Sequence, residues 1–199
     1  MYRRGIKEAL SAQNIEVITA SVPPSGSIEQ RAAKLAKDIE AHANGRSVNI
    51  VAHSMGGLDA RYMISRLQPE GIDVKSLVTV ATPHHGSAVA DYLIDQIGPQ
   101  NLHRLYAMWN RATGWDYDAF EQLTRKYMME HFNPQTPDDP LVRYFSYGAM
   151  LVHKPPLLSP FRVSFRLLNE LEGANDGLVS VESSQWVRAH SFGQMAMPY

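Results

Sequence analysis

A serine hydroxyl attacks a carbonyl only when a base takes its proton and its oxygen stands clear of the backbone. The run Ala52-His53-Ser54-Met55-Gly56-Gly57 meets the second condition if it folds as a sharp strand-to-helix turn, because small residues two before and two after the serine let strand and helix approach. The pattern itself is weak: a small residue, any residue, Ser, any residue, Gly arises by chance in roughly one chain in seven of this length. Position gives it weight, since it closes the apolar run Ser47–Ala52 and opens the helix-forming stretch Met55–Leu67. The plain alternative is a serine that only caps a helix. A phosphate-binding loop is a poorer reading, with neither G-x-G-x-x-G nor a Walker Gly-Lys in the chain.

Where such a turn carries the nucleophile, an acid and then a histidine follow it in chain order. Asp176, in Asn-Asp-Gly-Leu-Val, is the leading acid, although Asn-Asp-Gly also makes a good turn on its own. His190 is the only histidine after Asp176, which nominates it as general base; its alternative is a residue of an atypical tail. His53, inside the turn, is expected to point elsewhere than a base must lie. His84 and His85, just past a strand, read as structural hydrogen-bonding groups, and His42, His103, His131 and His153 as surface or packing residues. Acyl transfer also needs backbone N–H donors at the developing oxyanion, and the residue after the serine, Met55, should give one.

The elements that must hold these groups alternate. Asn14–Val22 reads as a strand entering the breaker Pro23-Pro24-Ser25-Gly26. Ser27 and Gln30 have capping-box spacing, and Ile28, Ala32, Leu35, Ala36 and Ile39 recur at helical intervals until Asn44-Gly45, so this stripe should lie on a sheet. Ser47–Ala52 and Ser76–Ala81 are short apolar runs of the kind buried on both faces of a parallel sheet. Thr82-Pro83-His84-His85-Gly86 follows the second, and then Val89, Leu93 and Ile97 mark a helix. From Gly98 to Pro140 the chain is crowded with large side chains, with Phe120, Leu123, Tyr127 and Met128 on one helical face. Leu141–Tyr147 resumes strand composition, and a helix around Phe165–Leu171 leads into the turn before Asp176. The alternation predicts an α/β fold: one domain over 1–199, with a mostly parallel sheet flanked by helices and a helical cap or lid insertion at about 98–140.

The longer run VAHSMGGLDARYMIS (Val51–Ser65) resembles the nucleophile region of microbial triacylglycerol lipases of the α/β-hydrolase fold. ATPHHGS (Ala81–Ser87), the bulky insertion and NDGLVSVESSQW (Asn175–Trp186) match the same family in order. The resemblance covers about Tyr2–Trp186. It implies a serine hydrolase of lipid esters in which Ser54 is the nucleophile and Asp176 the acid. In such lipases the base comes farther beyond the Ser-Gln-Trp stretch than His190 does, and a His-Gly pair before the nucleophile supplies the second oxyanion donor; no such pair precedes Ser54. The expectation is therefore a lipase-like chain truncated at its N-terminus and divergent at its C-terminus.

An apolar trough for the acyl chain would come from the insertion, where Trp109, Trp115, Tyr117, Phe120, Met128 and Met129 either face the substrate or simply pack a cap onto the core. Asp116 and Asp118 read as solvated acids, not metal ligands, and no cofactor is expected. Composition excludes other classes. With 199 residues the chain is long enough to bury about 70% of its unfolded surface. Its formal net charge of -1 gives no footprint for nucleic acid. Having no cysteine, it has no disulfide, thiol nucleophile or Cys-ligated metal. No apolar run approaches the 18 or so residues of a membrane span, and the opening MYRRGIKEAL lacks a signal-peptide core, so an intracellular protein in peripheral contact with lipid is expected. The reading is a carboxylic ester hydrolase, foremost a triacylglycerol lipase. The alternatives are a catalytically incompetent remnant that binds lipid or a partner, and a phospholipid or inositol deacylase.

Overall fold

The computed structural model describes residues 4–23, 26–95, 121–159, 161–186 and 195–197. After a first helix α1 (Arg4–Ser11), the expected capping box starts α2 (Ile28–Ala43): the Ser27 side chain accepts from Gln30 N, and the Gln30 side chain accepts from Ser27 N. The helix ends on Asn44 in the left-handed region (φ 51°), a conformation asparagine tolerates better than most residues. Strand β1 (Ser47–His53) then runs to the turn at Ser54 and into α3 (Gly56–Tyr62), which continues through a wide π turn, Met63–Leu67. β2 (Asp73–Val80), the helix α4 (88–95), the helix α5 (Arg125–Tyr127, widening through Met128–Phe132 and closing at Asn133–Gln135) and β3 (Arg143–Tyr147) follow. Next come β4 (Ala149–Leu151), α6 (Phe161–Leu171), the short α7 (Val181–Ser184) and β5 (Met195–Met197).

β1, β2 and β3 form a parallel three-stranded sheet in that order, with His53 opposite Val80 and Val80 opposite Tyr147. Parallel register brings the carboxyl ends of all three strands to one edge of the sheet. β4 and β5 pair in parallel as a second, two-stranded sheet. The apolar stripe of α2 lies where its periodicity places it: Ala32, Leu35, Ala36, Ile39 and Ala43 pack with Ala60, Met63 and Leu77, against Val48, Ile50 and Ala52 of β1.

Two expectations need correction. Asn14–Val22 is not a strand, because no described residue pairs with it; Ile18, Ala20 and Val22 pack on the α2 core, and Ser21 N donates to Asp38 Oδ2 (3.0 Å). Extended backbone without a ladder partner satisfies its amides elsewhere. β1 is not buried on both faces either: its residues alternate, and Val51 is 63% exposed, since among the described residues only the face carrying Val48, Ile50 and Ala52 meets a helix. β2, between two strands, carries the more deeply buried run, with Ser76, Leu77 and Thr79 buried.

α2 and α3 are joined by a buried ion pair. Arg31 donates to both oxygens of Asp59, from Nε to Oδ1 (3.1 Å) and from Nη2 to Oδ2 (2.8 Å), and its Nη1 donates to Pro23 O (2.5 Å). Burial pushes the Asp59 carboxyl up to about 6, with Arg31 opposing the shift. Removing one member of such a pair strands a charge in the core. Asp59→Asn and Arg31→Ala are therefore each expected to lower the unfolding free energy by about 3–5 kcal/mol. The double variant should cost less than their sum, as read by urea denaturation.

Candidate active site

Ser54 stands at the junction of β1 and α3 with φ +54°, a left-handed backbone in a non-glycine residue. Such a conformation persists only where its surroundings over-determine it. Three hydrogen bonds do so. Ser54 N donates to Val80 O (2.9 Å), extending the β1–β2 ladder by one residue, while Ser54 O accepts from Gly57 N (3.0 Å) and from Thr82 Oγ1 (2.7 Å). The half-buried serine is thus turned out of the strand at the carboxyl edge of the sheet.

The steric demand of this turn falls one residue later than the motif places it. A Cβ on Gly56 would meet only Ala52 Cβ, at 4.0 Å, an ordinary contact. On Gly57 it would lie 2.2 Å from Thr82 Oγ1 and 2.9 Å from Thr79 Cγ2. The helix therefore approaches β2 and the Thr82 loop more closely than it approaches its own strand, and Gly57 is the required glycine.

Met55 is buried, and its N–H opens α3 without an acceptor among the described residues, while its carbonyl accepts from Leu58 N (2.9 Å) and Asp59 N (3.1 Å). An unsatisfied amide at the start of a helix beside the serine is what an oxyanion donor requires.

The acid-bearing turn sits at the same edge. Leu151 N, at the end of β4, donates to Asn175 O (2.9 Å), and Ser87 Oγ donates to Leu178 O (2.9 Å), tying the turn to the loop after β2. Asp176 Oδ1 accepts from Leu178 N (2.9 Å) and Val179 N (2.8 Å), which fixes the carboxylate plane. Both bonds fall on Oδ1. Burial raises the Asp176 carboxyl above its ordinary value; the two backbone amides and the His53 imidazole oppose that rise. His53 is in turn held below its ordinary value by loss of hydration, opposed by Asp176. Each of His53 and Asp176 thus acts on the charge of the other across this edge of the sheet. His190 lies outside the described residues, as do His103, Asp116, Asp118, Trp109, Trp115, Tyr117 and Phe120, and with them residues 98–120 of the expected cap. Of the cap residues that are described, Leu123, Met128 and Phe132 pack into the core with Ile28, Met55 and Leu58, while Met129 is 56% exposed.

His84 and His85 have structural hydrogen bonds, as expected. His84 is fully buried, its Nε2 on Thr79 Oγ1 (2.9 Å) and its Nδ1 facing Arg61 Nη1 (3.4 Å). His85 Nδ1 faces Ser183 O (3.3 Å). Arg61 was not singled out by the sequence, yet it joins the parts. Buried on α3, it donates to Asn133 Oδ1 (2.9 Å) and Thr136 O (3.2 Å) and lies 3.4 Å from the centroid of the Trp186 ring. Burial lowers its pKa to about 10, opposed by Asp138 and Tyr144. Ser47 Oγ and Asp73 Oδ2 also meet, at 2.6 Å, but at the amino ends of β1 and β2, the edge opposite Ser54.

Two outcomes are expected. Gly57→Ala should cost about 3 kcal/mol or more by overpacking against Thr82, whereas Gly56→Ala should change stability by less than about 1 kcal/mol, as read by denaturant melts. His84 is held well below its ordinary 6.5 by burial and by the Arg61 charge. The unfolded chain then binds a proton at this site below pH 6.5 that the folded chain does not, so stability falls as pH drops. His84→Gln should remove up to about 1.4 kcal/mol per pH unit of that slope relative to the parent chain, in unfolding measured across pH 7.5 to 5.

Residues 21–120, half of the chain, match the family model described as a domain of unknown function (DUF7379). Triacylglycerol lipase 2 of Saccharomyces cerevisiae is 40% identical over 194 residues, covering 93% of this chain and 57% of that protein. A triacylglycerol lipase of Pseudomonas fragi is 35% identical over 95 residues, 46% of this chain and 31% of that protein. The chain thus spans little more than half of the yeast relative and about a third of the bacterial one. Among solved structures, Staphylococcus hyicus lipase superposes with a TM-score of 0.69 at 19% identity, covering 93% of this chain and 73% of that one. The mature Bacillus licheniformis lipase BlEst2 gives 0.67 at 23% identity, covering 84% and 65%. The chain belongs to the DUF7379 family, and its fold is the α/β-hydrolase fold, related to that of microbial triacylglycerol lipases and esterases.

Proposed function

We propose that this chain is a serine hydrolase that cleaves carboxylic esters of lipids, triacylglycerol foremost. The observation that carries the reading is the left-handed Ser54 at the carboxyl edge of a parallel sheet, with the Met55 amide beside it unbonded among the described residues and a fixed carboxylate, Asp176, on the turn at the same edge. The sequence similarity to named triacylglycerol lipases supports the choice of ester.

The chemistry follows from these groups. Ser54 Oγ attacks the ester carbonyl carbon as the base takes its proton. The carbonyl oxygen becomes an oxyanion that accepts from Met55 N–H. Chain order assigns the base to His190, the one histidine after Asp176, and the acid that orients a base in this chemistry to Asp176, whose carboxylate is held by Leu178 N and Val179 N. Collapse of the tetrahedral intermediate expels the alcohol, which receives the proton from the imidazolium. Water activated by the same base then releases the fatty acid and restores Ser54.

The test is labelling with a fluorophosphonate together with hydrolysis of short- and long-chain acyl esters. Ser54 should be labelled and Ser54→Ala should be inert to both. Asp176→Asn should retain Ser54 and its fold but lose on the order of 10⁴ in turnover, and His190→Ala a similar factor. Parent protein that neither labels nor hydrolyses any ester would favour a binding protein without catalysis.

A further inference from the structure

Among the described residues the neighbours Leu157 and Leu158 are two of the three most exposed large apolar side chains, at 79% and 96%. Leu157 and Leu158 are the two central residues of a turn that leaves the carboxyl end of β4. Ser159 N donates to Pro156 O (2.9 Å), closing the turn, and Arg162 Nη1 reaches back to Pro155 O (2.6 Å). Pro155 is itself buried, and the Ser159 hydroxyl accepts from Phe161 N (3.3 Å). The tip is therefore built: both leucines are held outward by a turn with its own hydrogen bonds, anchored to the start of α6. Val152 (55% exposed) and Val163 (75%) flank it.

Along the chain, the charges on either side of the tip have one sign. From Val152 to Asn169 the chain carries Lys154, Arg162 and Arg166 and no acidic residue. Lys154 and Arg166 are exposed. The nearest acids along the chain are Glu170 and Glu172, and Glu172 is engaged with Arg125 (3.5 Å). Exposed leucines on a rigid turn with basic side chains beside them match an anionic lipid surface: the apolar tips enter the acyl boundary, and the cations stay at the head groups.

We propose that the Leu157-Leu158 turn is a membrane-docking tip that inserts into an anionic phospholipid surface. The turn leaves β4 on the side of the molecule that holds Asn175 and the acid-bearing turn, so docking there would bring that edge of the sheet toward the lipid. A pre-formed tip loses little entropy on insertion. The inference is separable from catalysis, because binding can be measured on protein with Ser54 replaced by alanine.

The experiment is co-sedimentation of the full chain carrying Ser54→Ala with vesicles of phosphatidylcholine and phosphatidylglycerol in equal parts, and with vesicles of phosphatidylcholine alone. Binding is expected to the mixed vesicles and to weaken with added salt. Leu157→Ser with Leu158→Ser should reduce the partition coefficient by about 100-fold, since each leucine transferred from water is worth roughly a factor of ten or more. Lys154→Gln with Arg166→Gln should reduce it by about 25-fold, about five-fold per basic residue, and remove the preference for the anionic lipid. All four positions are exposed, so thermal unfolding of both variants should match the parent. No binding to the mixed vesicles, equal binding to both vesicle types, or undiminished binding of the leucine variant would each overturn the proposal.

Discussion

The contact on which this structure depends is the approach of Gly57 to Thr82. A left-handed serine is unfavourable on its own, and what holds Ser54 there is a carbonyl engaged by Gly57 N and Thr82 Oγ1 together with an amide bound to Val80 O. Each partner comes from a different place: the first turn of α3, the loop after β2, and the last residue of β2. The helix must therefore lie against the Thr82 loop at a distance that excludes even a methyl group on residue 57. Once that packing exists, the remaining features follow. The hydroxyl leaves the strand, the Met55 amide opens α3 without an acceptor among the described residues, and α3 is aimed so that Leu58 and Met55 pack in the core with Met128 and Phe132.

Buried charge ties this helix to its neighbours. Asp59 and Arg61 lie two residues apart on α3 and are both buried. Asp59 meets Arg31 of α2, while Arg61 meets His84, Asn133, Thr136 and the Trp186 face. Such groups are expensive to desolvate and contribute little net stability, but they tolerate few alternative arrangements. Through Arg61 the helix after Ser54 is joined both to the end of α5 and to Trp186, which follows the acid-bearing turn and α7. Trp186 Nε1 in turn donates to Asp138 (3.0 Å), so the indole is fixed on its edge as well as on its face. Ser183 extends the same connection, with its hydroxyl donating to Gly86 O.

What could be read from the residues divides by range. The capping box at Ser27, the left-handed cap at Asn44, the alternation of strand and helix and the sharp turn at Ser54 are local patterns, and each matches an element or bend in the fold. The stripe on α2 was legible for the same reason, since periodicity records which face is buried even without its partner. The strand read into Asn14–Val22 fails on the partner: β composition describes a chain that suits a sheet, but a strand exists only where a neighbour accepts its ladder bonds. Burial of β1 fails similarly, because an apolar run does not say whether both of its faces will be covered.

The sequence by itself determined which candidate groups the chain carries and their order, a serine on a tight turn followed by an acid on another, because these depend on residue type and short spacing. Tertiary structure decided which glycine the turn requires, that His84 and Arg61 are buried against each other, and that the Asp176 turn is tied to the loop after β2 through Ser87. Those outcomes depend on distances between residues far apart in the chain, set only when helix, loop and sheet pack together. No spacing within a single segment encodes them.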